Sequence, residues 1–508
     1  MPFARLYVRS VGFWNSPNPL WRARETLLAC GAMLEANVTP PAQDSASTLV
    51  QREEGLHQNL SPRQVAMIGL GATIGTGLFL GSSISVKLAG PAVLLSFLIG
   101  ALITLPVMWA LAEMAAEHPA AGSFGLYGEM YLHPWAGFAM RYAYWICVVV
   151  VIGSEVAAAA IYCKLWFPQV PALVWIGAFS ALLVGINVVS VKSFGTFEYW
   201  LAMIKVVTIV VFLILGTMLI FGIFFPRVGV GNYTGRGGFL PNGWTGVGLG
   251  VVMAIFSFLG LEVVGATAGE AENPKVAVPR ALRRTLFFLS VFYLGGLAIV
   301  VGIVPWKEVG LGESPFVRVF QMTGIPAATH IMNFVVLTAA LSSAMCNLYF
   351  AARLLFSLAR GGYAPAVFGR LSKKRMPVAA VLTSSVGMAA AMVLANSFQE
   401  TKAFLFMIGA AFFGGPFIWL MILITHLAFR RKISREGKHI VRIAPAGSWS
   451  SVLGIIALLA VLISTWWIPG FQATLRIGPA WLIFLTLCYF IWRKSASGTA
   501  DKETTPDG

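Results

Sequence analysis

Long apolar runs separated by short polar connections occupy most of this 508-residue chain. Twelve of them come close to or exceed the roughly 20 residues that span a bilayer. They fall near residues 65–88, 92–116, 135–161, 173–191, 200–224, 247–269, 286–304, 325–358, 378–395, 404–427, 452–468 and 477–492. Hydrophobicity within each run is continuous. Strands of a membrane barrel would alternate over ~10 residues, and a backbone in lipid must satisfy its own hydrogen bonds. The pattern therefore predicts an all-α integral membrane protein with twelve transmembrane helices, forming one domain over residues 61–494. Residues 1–60 are polar, include NVTPPAQDSAS and hold no apolar run suited to a signal peptide. They read as a disordered cytoplasmic tail, and 495–508 as a second tail. Met33 is an alternative start, which would leave residues 1–32 outside the natural product.

Two of the twelve runs carry glycine where a helix interior disfavours it. The first contains GLGATIGTGLFLG, with Gly69, Gly71, Gly75, Gly77 and Gly81; the sixth contains FSFLGLEVVGATAGEAENP, with Gly260, Gly265 and Gly269. Glycine-broken helices at matching places in two halves predict a 5+5 inverted repeat, with helices 1 and 6 discontinuous and helices 11–12 added. The same glycines fit a small-residue packing motif, but matched placement favours the broken-helix reading. GLGATIG also resembles a dinucleotide fingerprint; that needs a preceding strand, and an apolar helix stands there instead. A helix opened at mid-membrane is tolerated only where its bare peptide groups line a polar cavity. The N-terminus of a half-helix suits a carboxylate. The carbonyls at a half-helix C-terminus suit an ammonium, so one broken helix can grip both ends of a zwitterion.

Composition agrees. Only 11% of residues are charged, against roughly 25% in soluble proteins, and mean hydropathy is +0.79. The net charge of +16 is distributed by side: 27 Lys and Arg fall in one set of connections and tails, 8 in the other, and Lys205 lies within a helix. This is the positive-inside signal. It predicts both termini in the cytoplasm, a cell (inner) membrane location and no nucleic-acid partner. The five cysteines form no Cys-x-x-Cys, so neither a disulfide framework nor a metal site is expected. No phosphate-loop motif, His-Glu-x-x-His or Gly-x-Ser-x-Gly occurs, which argues against an ATP-driven pump or an enzyme.

Ionisable residues inside the membrane are functional candidates by default. Glu262 follows the glycines of helix 6, and Glu155 lies late in helix 3, where a part in proton coupling or gating and a structural hydrogen-bonding role fit equally well. Lys205 sits about 10 Å of helix from the nearer inside end. That depth argues against snorkelling, and a buried lysine gives up its proton more readily than an exposed one. Lys205 is thus the expected proton carrier. Glu113 and Glu198 lie near inner helix ends and read as interfacial anchors. His330 and His426, also near helix ends, carry no expected role.

The segments GLGATIGTGLFLGS, LAEMAAEHPAAGSF, FSFLGLEVVGATAGEAENPKVAVPRALR and LYFAARLLFSLARGGYAPAVF together resemble the bacterial amino acid permeases of the amino acid–polyamine–organocation superfamily, over about residues 56–490. The resemblance implies a leucine-transporter-like fold with alternating access. It implies that Thr73, Ile74, Gly75, Thr76 and Gly77 form an unwound stretch binding the substrate carboxylate and amine, with Phe256, Ser257, Leu259 and Gly260 completing the site. It further implies gating by Glu262, proton coupling by Lys205, and a cation-site region near Ser342 and Ser343. Two departures stand out. Tyr363 replaces an aspartate common before Ala-Pro, and helix 10 reads FMIGAAFFGG where Ser or Thr is frequent. The resulting expectation is import of a small or apolar zwitterionic amino acid by proton symport, driven by the proton gradient without a cofactor. No obligatory protein partner is expected beyond the lipid bilayer. Proton-independent exchange and polyamine or amine transport on the same fold are the alternatives.

Overall fold

The computed structural model describes residues 49, 62–118, 123–189, 191–223, 227–235, 237–266, 274–310, 312–322, 326–398, 400–437, 443–468 and 471–503. All of the expected tail 1–60 except Leu49, and Gly269 of the sixth run, lie outside them. All regular elements among the described residues are helical. In chain order these are α1 (Pro62–Thr73), α2 (Ser82–Ala89), α3 (Val93–Glu117), α4 (Ser123–Tyr131), α5 (Pro134–Cys163), α6 (Ala172–Val189), α7 (Val191–Phe221), α8 (Gly231–Thr234), α9 (Gly243–Phe258) and α10 (Val263–Ala266). They continue as α11 (Pro274–Ile303), α12 (Pro315–Met322), α13 (Pro326–Arg360), α14 (Val378–Ser384), α15 (Val386–Ser397), α16 (Glu400–Phe412), α17 (Gly414–Arg435), α18 (Ser448–Ser464) and α19 (Gln472–Glu503). The last helix thus runs beyond residue 494.

Eleven stretches among the described residues are long and apolar enough to cross a membrane. The first, Gln64–Glu117, holds two of the twelve expected runs. A short 3-10 turn at Gly90–Ala92 separates them, where Gly90 takes φ +61° and Pro91 cannot continue a ladder. The N-terminus of α5 follows a familiar rule: Pro134 stands in the first turn, and the His133 side chain accepts the Trp135 N–H at 3.1 Å.

Burial sorts the helices into two layers. The apolar stretches of Pro134–Cys163, Gly243–Gly265, Ala327–Arg360 and Thr401–Arg435 are each 83% buried, against 22% for Ala172–Val189 and Gln472–Arg493. The first group forms the core. α5 packs against α13, α15 and α16; α9 and α11 pack against α3; and α1 lies against α7, α11 and α13. α7 is two-faced. Trp200, Val207, Val211 and Ile214 are exposed along its outer side, while Lys205 is fully buried on the inner one.

Candidate functional site

The backbone ladder of the first membrane segment opens where the glycines predict. α1 ends at Thr73, Ile74 and Gly75 are non-helical, and Gly77–Gly81 forms a single wide π turn. The opening is shorter than the expected Thr73–Gly77: two residues leave the helix, with Thr73, Thr76 and Gly77 at its edges. Gly75 N–H folds back on the Thr73 carbonyl at 3.0 Å.

The groups freed by the break are met by charged side chains. Lys205 Nζ donates to the carbonyls of Gly71 and Ile74 at 2.8 and 2.9 Å. On the other side of the opening, Thr76 N–H donates to the Glu155 carboxylate at 3.2 and 3.4 Å. Ammonium on carbonyls and carboxylate on an N–H is the arrangement a half-helix pair favours. The protein's own Lys205 and Glu155 thus occupy handles expected for a zwitterion. Ser343 Oγ stands 3.0 Å from Glu155 Oε1 and 3.2 Å from the Ala72 carbonyl. A methyl group on Gly75 would approach Glu155 Oε1 to 2.5 Å and Ser343 Oγ to 2.6 Å, so only glycine admits both.

The second break lies in the sixth segment. α9 stops at Phe258, Leu259 turns to ψ 143°, and Gly260 takes φ +101° before α10 begins. Glu262 accepts the Gly260 N–H at 3.1 Å, the Trp419 indole N–H at 3.1 Å and the Tyr144 hydroxyl. One buried carboxylate therefore caps the break and ties it to α5 and α17. The two breaks are in contact: a methyl group on Gly260 would lie 3.0 Å from the Ala72 carbonyl oxygen and 3.4 Å from Thr73 Cα. Tyr293 of α11 spans both, its hydroxyl 3.2 Å from the Thr73 carbonyl and 2.8 Å from that of Ser257. A tyrosine has one proton to donate, so it serves one carbonyl at a time and leaves the other available.

Between the breaks lies a cavity of about 30 Å³. Thr73, Gly77, Phe256, Leu259 and Gly260 line it, together with Glu155 and Ser343. Ile74, Gly75, Thr76 and Ser257 are not among the residues that line it. The space is smaller than any amino acid, so substrate binding requires side chains such as Phe256 to move. Tyr144, Cys147 and Asn347 also line it. Sequence reasoning missed them; polar Tyr144 and Asn347 on otherwise apolar helices were the available signal.

Two expectations are corrected. Glu198 is not an interfacial anchor. It is fully buried, accepts the Ser342 hydroxyl at 2.6 and 2.8 Å, and lies against the Gly71 backbone. Glu198 and Lys205 thus meet at the same residue, Gly71. The helical periodicity explains this: Glu198 and Lys205 are seven residues apart on one face. Glu113 is not an anchor either. Its buried carboxylate accepts from His426 Nε2 at 2.8 Å, Arg430 at 2.7 and 3.0 Å, and the N–H groups of Ile443 and Ala444 at 2.8 Å. His426, which carried no expected role, joins this cluster to Ser451 at 2.7 Å. Lys205 does not snorkel. Ser342 and Ser343 each engage a carboxylate. Tyr363, the departure before Ala-Pro, is buried and donates to Glu129 at 3.0 Å beside the Glu129–Arg141 ion pair. His330 sits at an exposed contact with Trp166.

A polytopic helical bundle with two interrupted helices meeting at a buried, charge-lined cavity has the architecture of a membrane transporter. Comparison with known proteins gives the family. The family model described as amino acid permease matches residues 64–497. The chain is 38% identical over 448 residues to the γ-aminobutyric acid permease of Bacillus subtilis, covering 87% of this chain and 95% of the relative. It is 37% identical over 464 residues to the uncharacterized amino acid permease YtnA of the same organism, covering 89% and 99%. It is 36% identical over 450 residues to the aromatic amino acid transport protein AroP of Escherichia coli K12, covering 88% and 98%. The chain belongs to the amino acid permease family and is a multi-pass membrane protein.

Proposed function

We propose that this protein is a secondary active transporter that imports a zwitterionic amino acid together with a proton. The carrying observation is Lys205, buried and bound to the carbonyls of Gly71 and Ile74 at the break of the first helix. Charge-assisted hydrogen bonds of this kind contribute about 1.5–3 kcal/mol each. Protonated, Lys205 holds the end of α1 and the first residue of the break in one geometry. Deprotonated, it loses its charge and one donor, and the break is free to rearrange. Substrate would bind on the cavity side of the breaks. Its ammonium would take the Thr73 or Ser257 carbonyl that Tyr293 leaves available, and its carboxylate would take N–H groups near Gly77. Phe256 would cover it, and Glu262 would transmit closure to α5 and α17. The proton gradient supplies the drive, and no metal or organic cofactor takes part. Contact between the two breaks is what an inverted repeat would produce. The charge distribution supports cytoplasmic termini, and relatives named as γ-aminobutyrate and aromatic amino acid carriers support an amino acid or close analogue as cargo.

The test is uptake by Lys205→Met in proteoliposomes under an imposed pH gradient, with amino acids screened beforehand by thermal shift. Loss of gradient-driven accumulation with counterflow retained supports coupling through Lys205. Full accumulation by the variant overturns it.

A further inference from the structure

Outside the substrate site, a groove of about 790 Å³ runs between α1, α7 and α11. Its walls are apolar or aromatic, including Ala66, Met67 and Leu70 of α1 and Tyr199 and Met203 of α7. The α11 wall differs. Arg280 and Arg284 line it, four residues apart and therefore on one helix face. Both arginines are exposed, and neither has an acidic partner among the described residues. This first part of α11 belongs to the side that the charge count assigns to the cytoplasm.

An apolar trough bordered by two guanidinium groups that have no acidic partner among the described residues matches an amphiphile with an anionic head. Water-soluble anions would have no use for the trough, and a neutral hydrocarbon none for the arginines. We propose that this groove is a binding site for an anionic phospholipid, its phosphate on Arg280 and Arg284 and an acyl chain along α1 and α7. Arg283, on the adjoining face of the same helix turn, adds to the local positive field. The site has a mechanical consequence. Leu70 lies four residues before Ile74, so a lipid seated here braces the segment of α1 that leads into the break against α11. Occupancy would then set how readily that segment moves.

The test uses full-length protein in detergent, titrated with fluorescent phosphatidylglycerol or phosphatidylcholine. Three variants are compared with the wild type: Arg280→Gln/Arg284→Gln, the groove-filling Ala66→Phe, and Lys373→Gln/Lys374→Gln, which removes equal charge from an exposed loop. Two basic contacts near a membrane surface correspond to roughly 30-fold in affinity. We expect that loss of phosphatidylglycerol binding in the double arginine variant, weaker binding in Ala66→Phe and none of either effect in the lysine pair. Equal binding of both lipids to the wild type overturns the proposal. So does equal loss in the arginine and lysine variants, or full displacement of the lipid by inorganic phosphate with Ala66→Phe binding normally. Helical circular dichroism of each variant separates these outcomes from misfolding, and none depends on which solute is transported.

Discussion

Gly260 offers the sharpest test of the contact between the two breaks. Its φ of +101° is a region that residues with a Cβ rarely adopt, and occupying it costs about 1–3 kcal/mol. The added methyl of Gly260→Ala would also meet backbone, not a flexible side chain: the Ala72 carbonyl oxygen at 3.0 Å, its carbon at 3.2 Å and Thr73 Cα at 3.4 Å. The first-helix break must therefore move by a few tenths of an ångström or Gly260 must leave its conformation. If this costs the transport-competent arrangement about 2 kcal/mol relative to competing ones, its population falls roughly 30-fold. The assay is initial-rate uptake in proteoliposomes, normalised to reconstituted protein. Gly248→Ala serves as control, because that glycine is helical and has open space where its methyl would go. Uptake by Gly260→Ala should fall at least about tenfold and that of Gly248→Ala should stay at the wild-type level. Equal uptake by the two variants would refute the claim that the breaks bear on one another.

Further outcomes follow from the buried polar network. Glu113→Ala leaves Arg430, His426 and two main-chain N–H groups without their acceptor, and should destabilise the protein by about 3–5 kcal/mol; an unchanged thermal unfolding midpoint in detergent would contradict this. Arg141→Met should cost a similar amount by removing the cation that neutralises buried Glu129, while Glu129→Met/Arg141→Met should recover much of it; the comparison is read in the same unfolding assay. Tyr293→Phe removes the hydroxyl between the Thr73 and Ser257 carbonyls, at a cost of about 1–3 kcal/mol. It should raise the KM for uptake more than it lowers the maximal rate, and an unchanged KM would count against Tyr293 as a positioning residue. Glu198→Gln keeps an acceptor for Ser342 but removes a carboxylate that lies against Gly71, whose carbonyl Lys205 holds, so the pH dependence of uptake should shift while folding persists; coincident pH profiles would exclude a link.

Much of this architecture is legible in the sequence because lipid leaves few choices. A chain that must satisfy its own hydrogen bonds in hydrocarbon forms helices, so continuous apolar runs identify the spans and glycine clusters identify where the ladder opens. Lys205, Glu155 and Glu262 were also legible, since an ionisable residue deep in an apolar run needs a reason to be there. Their partners were not. Position along a helix does not say which face turns inward, so Glu198 and Glu113, near helix ends, read as surface anchors. In the folded protein Ser342 lies 144 residues from Glu198, and His426 lies 313 from Glu113. Tyr293, Tyr144 and Trp419 each reach a break from a helix far away in sequence. By itself, then, the order of residues determined the helices, the two weak points and the charges that sit near them, all consequences of local chemistry in a membrane. Only the packing of distant helices decided that the weak points touch, and that Lys205 and Glu155 meet the bare carbonyls and N–H of one opening, because such contacts depend on which faces the assembled bundle turns toward each other.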